Sequence, residues 1–441
     1  PQSAVAAAAE PTVEELSAQV RALTQRVQEL EGSRITAADV DATVKKVLAE
    51  ADRQSQLFDA SQFKAGWDPK AEKFVVGTVD GNWTVSPAVI WQFRGIGSYR
   101  QSPLGASSGE SWDTGFENRR TRFGLDGTAV TKNLTYRFLW ESGRDGGGVS
   151  LLDAFVRYRL SPDWSVRVGQ FKDPWSVEEN TSDAKQLAVE RSLSNALVGA
   201  GLVDRVQGVG IGYDKAKPVR AQLVLHDGGN SKNTTFVDGP AGALPSLAGS
   251  EDFGVSGRLE YFVWGTPRQY EDYSALGNKE ELLVIGVGAD WTQGGDNEAL
   301  FHAVDVQFEN TKGLGVMAQY VGLARDVNTG STGANGVSVG NHYDWGLVAQ
   351  VGQMLTPKWE VFGRYSWVNL DSGAFSSSRV VREDQIHEIT AGVNYYIYKH
   401  NAKITVDLNY LPNGSPEVAG LGYLATDEDS WVLRTQLQLA L

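Results

Sequence analysis

The first regular pattern in the chain has the helical period. Val13, Leu16, Val20, Leu23, Val27 and Leu30 follow one another in steps of three and four without a slip, which is the seam of a parallel coiled coil. Arg26 and Glu31 flank that seam at g and e positions, and Gly32 stops the helix. A helix this short is marginal alone, so the spacing predicts association with copies of itself; one amphipathic helix lying on a surface is the alternative. A second helix is expected next, opened by Thr36 with Asp39 three residues on as in a capping box, and fading by Leu57.

Beyond this helical segment, residues 1–58, the period changes to two and stays there through 59–441. In "LTYRFLW", Leu134, Tyr136, Phe138 and Trp140 oppose Thr135, Arg137 and Leu139. In "KITVDLNYL", Ile404, Val406, Leu408 and Tyr410 oppose Thr405, Asp407 and Asn409. "WVLRTQLQLAL" ends the chain with Trp431, Leu433, Leu437, Leu439 and Leu441 on one face. Read through, the chain holds about sixteen such segments of roughly ten residues.

The connectors carry more information than the strands. Short links at Thr131-Lys132, Ser161 to Asp163, Asp214 to Ala216, Glu309 to Gly313, Thr356 to Lys358 and Lys399 to Asn401 alternate with long polar ones. The long set is Ser98 to Gly115, Lys172 to Asp204, Asp227 to Glu251, Asp326 to Asn341, Asp371 to Asp384 and Pro412 to Ser430. Two links break the rule: Gly265 to Glu280 is long where a short one is due, and Thr292 to Asn297 is the reverse. Alternating tight turns and long loops predict an all-β fold, a 16-stranded antiparallel transmembrane β-barrel carrying an N-terminal coiled-coil stub. A soluble sandwich or propeller does not need that asymmetry. The apolar phase of each strand would meet lipid, and the other phase, rich in Arg, Asp, Thr, Gln and Gly, is too polar to fill a dry interior.

Composition narrows the classes. The 441 residues include no cysteine, which excludes disulfides and thiolate metal sites. Glycine is abundant, at 49, and there are 13 Trp, 15 Tyr and 16 Phe, a mix suited to many turns and outward aromatic side chains. A net charge of −14 argues against nucleic acid as a partner. No run of eighteen apolar residues offers a transmembrane helix. The Ala-rich start "PQSAVAAAAE" fits a position just past a leader cleavage site, although Pro1 is an awkward first residue there.

At "GFENRRTRFGLDG", "LLDAFVRYRL", "VRVGQFKDPWSVEENTSDAKQLAVERSL" and "RVQGVGIGYD", Gly115 to Asp214, the chain resembles the phosphate-selective porin O/P family. The resemblance implies a homotrimeric porin of the bacterial outer membrane, embedded in lipid and passing small hydrophilic solutes and ions by diffusion, in which the third outer loop folds into the lumen. Lys172 to Asp204, the longest link, is that loop, and a hydrophilic loop held inside the tube narrows it to an eyelet. The stub, outside the resemblance, would lie in the periplasm.

Strand phase assigns the lining independently. Arg120 and Arg122 share an inward phase; so do Asp153, Arg157 and Arg159, while Arg137 and Arg167 oppose apolar neighbours. An ordinary solvated face explains such residues; a basic wall that attracts anions is the functional reading. The loop leans acidic, with Asp173, Glu178, Glu179, Asp183 and Glu190 against Lys172, Lys185 and Arg191, so basic wall and acidic loop are expected to set a field across the eyelet. Arg119 and Arg120 match the family's double arginine, but Glu179 stands where phosphate-specific members place a lysine. Like charges at 4 Å repel by roughly 4 kcal/mol at an effective dielectric near 20. The expectation is a weakly selective diffusion pore rather than a phosphate-binding one.

Other motifs lack their context. "GVSVG", Gly336 to Gly340, matches a hydrolase elbow but no helix follows it, and "GVGIG", Gly208 to Gly212, opens no helix either; small residues facing a crowded lumen explain it better. His226, His302, His342, His387 and His400 share no ligand spacing, so neither metal nor cofactor is expected, nor an enzyme. The rival reading is an envelope tether or adhesin that uses the barrel as anchor and the coil to bind a cell-wall or envelope partner. At 1.5 Å per residue that coil reaches only about 27 Å.

Overall fold

The computed structural model describes residues 13–32, 41–49, 63–68, 73–101, 111–144, 147–214, 218–235, 252–328, 339–371 and 384–441, and the side chains of all of these but 29–32. The chain divides into two units, Pro1–Lys64 and Ala65–Leu441. In the first, α1 (Val13–Gly32) follows the predicted heptads and α2 spans 41–49. Val13, Leu16, Val20, Leu23 and Val27 are 47–85 % exposed in the single chain. The side chain of Leu30, the Thr36/Asp39 capping box, the 58/59 boundary and Gly336 to Ser338 of "GVSVG" lie outside the described residues.

Two short strands, β1 (Phe63–Asp68) and β2 (Lys73–Thr78), precede sixteen longer ones. These are β3 (Thr84–Arg100), β4 (Trp112–Ala129), β5 (Thr131–Ser142), β6 (Val149–Arg159), β7 (Trp164–Lys172), β8 (Arg205–Tyr213), β9 (Val219–His226), β10 (Phe253–Trp264), β11 (Leu282–Gly294), β12 (Asn297–Glu309), β13 (Leu314–Val327), β14 (Gly340–Met354), β15 (Trp359–Asn369), β16 (Gln385–Tyr398), β17 (Ala402–Leu411) and β18 (Ser430–Ala440). Each pairs antiparallel with its predecessor, and β18 returns to β3 with Leu437 opposite Phe93. Closure removes every edge, so each strand's backbone is satisfied without water, as a bilayer demands. No helix among the described residues is long and apolar enough to cross a membrane.

The connectors alternate as their lengths predicted, and both irregular links are real features. At the short end β4 turns into β5 through Val130 alone, at φ 64°. The long link between β10 and β11, residues 265–281, lies at that same end. At the opposite end β11 meets β12 through Gly295-Asp296, where Gly295 takes φ 59° as a tight hairpin requires. Burial alternates with period two: in β18, Trp431, Leu433, Leu437 and Leu439 face outward while Val432, Arg434, Gln436 and Gln438 are buried inside. Outward aromatic pairs ring both ends. Trp164–Tyr213 and Trp359–Tyr395 stand at the short end, Tyr99–Trp112 and Tyr410–Trp431 at the long end, with centroids 4.1–5.0 Å apart. Amphipathic rings prefer the membrane–water boundary, so these are the two girdles of a membrane barrel.

Candidate functional site

The segment between β7 and β8, residues 173–204, is folded inside the barrel and almost wholly buried. Local chemistry gives it a shape of its own. Ser192 starts the short helix α4 (Leu193–Leu197) by accepting the Asn195 N–H at 3.2 Å. The Glu178 carboxylate, in helix α3 (Val177–Asn180), accepts from Ser192 N and Oγ at 2.7 and 2.8 Å. The loop then crosses to the wall half-way round from its root. Leu193 N donates to Glu388 of β16 at 2.7 Å, Ser194 N to Ser366 of β15 at 3.1 Å, and Val189 N to Asp407 of β17 at 2.9 Å, while Lys403 Nζ reaches Gln186 O at 2.6 Å. Wall glycines make room: a Cβ on Gly288 would sit 2.0 Å from Trp175 O, and one on Gly346 2.6 Å from Ser194 Cβ. The glycines of "GVGIG" on β8 make room for a neighbouring strand instead: a Cβ on Gly208 would meet Leu225 O of β9 at 2.2 Å.

The expected field between a basic wall and an acidic loop is corrected by this geometry, because the two touch. Glu190 receives Arg94 Nη1 at 2.7 Å, Arg119 Nε at 2.6 Å and a two-pronged bond from Arg120 at 2.7 and 3.1 Å. Asp183 joins Arg120, Arg122 and Arg191. Burial by itself raises both loop carboxyls; for Glu190 the guanidiniums of Arg119, Arg120 and Arg94, and for Asp183 those of Arg120, Arg122 and Arg191, overcome this and hold them well below the usual carboxylate range. The acids clamp the loop to the β3–β4 wall rather than opposing that wall across a gap.

Arg119 and Arg120, adjacent in sequence, both reach inward because a β-bulge sets Gln92 opposite Arg120 and Phe93 opposite Asn118, leaving Arg119 as the extra residue. Arg137 pairs with Asp153 at 3.0 Å, and Asp153 also takes Arg205 at 2.7 Å. Arg157 bonds Ser165 and Asp214, Arg167 lies over the Phe171 ring at 3.7 Å, and Arg159 is exposed at the short end. Lys172 and Arg191 both reach Glu179, at 3.5 and 3.3 Å, so its charge is compensated where the sequence reading took it as a bare acid. Glu178 is turned into the loop's own frame and faces no open lumen. Lys185 pairs with Glu271 at 2.7 Å. Sequence reasoning passed over Arg94 and Arg205, although the alternation of "WQFRG" places Gln92 and Arg94 inward against Trp91 and Phe93.

It also missed a convergence at the loop's root. Asp173, His226 and Asp290 bring ligand atoms within 4.8 Å of one another, all buried. Among the described residues, both Asp173 oxygens, Asp290 Oδ2, His226 Nε2 and the nearby Ser256 Oγ have no hydrogen-bond partner. The donor set does not fit a metal ion. His226 Nδ1 accepts the Gly228 N–H at 3.1 Å, so Nε2 carries the ring proton and lacks the lone pair a metal takes. A proton shared by the carboxyls suits the site instead. Burial pushes the Asp173 carboxyl well above its ordinary value and the neighbouring Asp290 pushes it further. An acid raised by folding binds more protons folded than unfolded, so stability falls as pH rises from the ordinary aspartate range toward the raised value. The wild-type unfolding midpoint in detergent is expected to fall as pH rises above the ordinary aspartate range, and Asp173→Asn to flatten that dependence. Equal slopes in both proteins, followed by circular dichroism, would show that Asp173 is not the group responsible.

Residues 98–301 match the family described as Phosphate-selective porin O and P, which bears out and extends the resemblance read from the sequence. An uncharacterized protein of Aquifex aeolicus (strain VF5) is 24 % identical over 271 residues, covering 59 % of this chain; the chain spans 62 % of that relative's length. Among solved structures, the anion-selective porin from Comamonas acidovorans aligns at TM-score 0.52 with 13 % identity, covering 81 % of this chain and 99 % of that one. Salmonella typhi OmpF, in complex with daunomycin, gives 0.52, 13 %, 82 % and 99 %. Pseudomonas putida OprB gives 0.52, 8 %, 81 % and 94 %. These likenesses carry the fold: the molecule is a closed antiparallel β-barrel of the porin type.

Proposed function

We propose that the chain is an outer-membrane diffusion channel for small hydrophilic solutes, weakly favouring anions, with residues 173–204 as its constriction. One observation carries the preference. A cavity of about 250 Å³ beside the inserted loop is lined by Arg119, Arg120, Arg122, Arg191, Arg205 and Lys232 against Glu141, Glu179, Asp183 and Asp204. The excess of fixed positive charge raises the local anion concentration. The wall guanidiniums Arg119, Arg120 and Arg122 are nonetheless already bound to carboxylates of the protein, so an arriving anion meets a field without a vacant fork to hold it. Paired guanidiniums, rather than a bare Glu179, thus give transit without tight phosphate binding.

In this reading the protein is no enzyme, the barrels assemble as homotrimers, and the N-terminal segment lies in the periplasm. The exposed heptad residues of α1 support self-association of that segment as a short parallel bundle; a tether through the same apolar seam is the second reading. Purified protein in planar bilayers should give discrete, ohmic conductance, a reversal potential on the anion side in a salt gradient, and no saturable block of chloride current by micromolar phosphate. Folded protein without discrete conductance sinks the channel reading; strong block by phosphate replaces diffusion with specific binding.

A further inference from the structure

The irregular connector at the short end, residues 265–281, turns part of its length into the lumen, where Tyr270, Tyr273, Ser274 and Ala275 are buried. Tyr270, in the 3-10 turn Gln269–Glu271, is buried, accepts from Arg258 Nη2 at 2.6 Å and donates to Asp305 at 3.1 Å. Arg258 itself holds Asp305 through two bonds of 2.8 Å, so the turn is seated on a charge pair fixed to the β10–β12 wall. Ser274 Oγ donates to Glu360 of β15 at 2.8 Å, and Gln307 of β12 donates to the Asp272 carbonyl. Tyr273 packs in one apolar cluster with Leu187 and Ala188 of the inserted loop and with Met317, Val348 and Phe362 of the wall. Gly315 makes that approach possible, since a Cβ there would lie 2.6 Å from Tyr273 O. A connector needed only to reverse the chain would use two to five residues; this one fills the barrel's interior beneath β12–β15 and meets the loop from the opposite mouth.

We infer that residues 265–281 form a second constriction, in series with the first, which confines solutes to the passage between the connector and the β9–β10 wall at Lys185, Arg220 and Glu271. This rests on the channel reading and adds the residues that set selectivity at the inner mouth. A cavity of about 330 Å³ lies there, lined by Lys185, Arg220, Arg258, Glu260, Tyr270 and Glu271 among others. Arg220 sits over the rings of Phe262 and Tyr270 at 5.7 and 5.8 Å, so its guanidinium is fixed at the edge of the passage. Lys185 from the loop and Glu271 from the connector join at 2.7 Å across the gap, and Glu271 remains 58 % exposed. The two constrictions therefore touch at a charge pair that borders the passage.

The chain has no cysteine, so a single introduced thiol is uniquely addressable. In bilayers, Glu271→Cys is expected to react with a charged methanethiosulfonate added at the short-loop side. The negatively charged reagent should lower chloride conductance by on the order of twofold, and the positively charged reagent should increase anion preference. A companion variant replaces 267–279 by a two-residue Asn-Gly turn and should raise conductance on the order of twofold or more, admitting larger neutral polymers. Modification of the introduced thiol that leaves current and selectivity unchanged overturns the inference, as does a folded turn variant with wild-type conductance. If the turn variant does not fold, the thiol result decides alone. Wild-type protein that fails to conduct tells against the channel reading instead.

Discussion

Glu190→Gln is expected to turn a weakly selective pore into one that retains anions. Its carboxylate is 3 % exposed and is the common partner of Arg94, Arg119 and Arg120, at 2.6–3.1 Å. It occupies the place an anionic solute would take among three guanidiniums. Glutamine keeps the shape but removes the charge, and its amide N–H₂ would face donors where the second carboxylate oxygen faced them. The uncompensated charge then acts on the permeating ion. At about 5 Å and an effective dielectric between roughly 20 and 80, one elementary charge is worth about 1–3 kcal/mol, a gain in anion preference of about 5- to 150-fold. Phosphate or sulfate should also begin to block chloride current saturably, because a fork of Arg donors is freed. Glu190→Asp, which keeps the charge, should behave much like wild type. If reversal potentials of the Gln variant match wild type, the Arg94–Arg119–Arg120 cluster lies off the permeation path. If conductance rises while selectivity falls, the loop has detached and Glu190 is chiefly its clamp.

What the chain disclosed about itself divides along a physical line. A strand's period of two tells which way each side chain points, because the pleat admits two directions only. The inward Arg120, Arg122 and Arg157 and the outward Trp431, Leu433 and Leu437 were therefore legible. Connector lengths gave the sidedness of the barrel, including the two links that broke the alternation. Phase does not tell what sits opposite. Residues 173–204 and 265–281 have no period to read, so their partners, from Glu388 and Asp407 to Asp305, appear only once the barrel is closed around them. The bulge that turns both Arg119 and Arg120 inward leaves no trace in alternation, since it is an exception to it. Glu178 and Glu179 stand side by side in the sequence and look equivalent. One caps Ser192 within the loop while the other meets Lys172 and Arg191, a difference fixed by the direction of a four-residue helix.

The other large effect is expected at Asp407, where three segments meet on one carboxylate. Arg434 of β18 binds it through Nε and Nη2 at 2.7 and 2.8 Å, both side chains fully buried, and Val189 N of the inserted loop donates to it at 2.9 Å. Arg434 Nη1 in turn donates to Leu421 O at 3.0 Å, tying in the connector between β17 and β18. Asp407→Ala leaves a guanidinium buried without its counter-charge, which costs on the order of 3–5 kcal/mol, and deprives the loop of an anchor on the wall opposite its root. The barrel's backbone ladder is untouched, so the loss should appear as local release: a noisy, enlarged conductance and new protease cleavage within 173–204. Replacing both partners, Asp407→Leu with Arg434→Met, removes the uncompensated charge while keeping volume, and should recover most of the thermal stability lost by Asp407→Ala alone. Recovery should stop short of wild type, because Val189 N lacks its acceptor in both variants and Leu421 O loses its donor with Arg434. If the double variant is as unstable as the single one, unpaired backbone groups, Val189 N in both variants and Leu421 O in the double one, outweigh the buried charge.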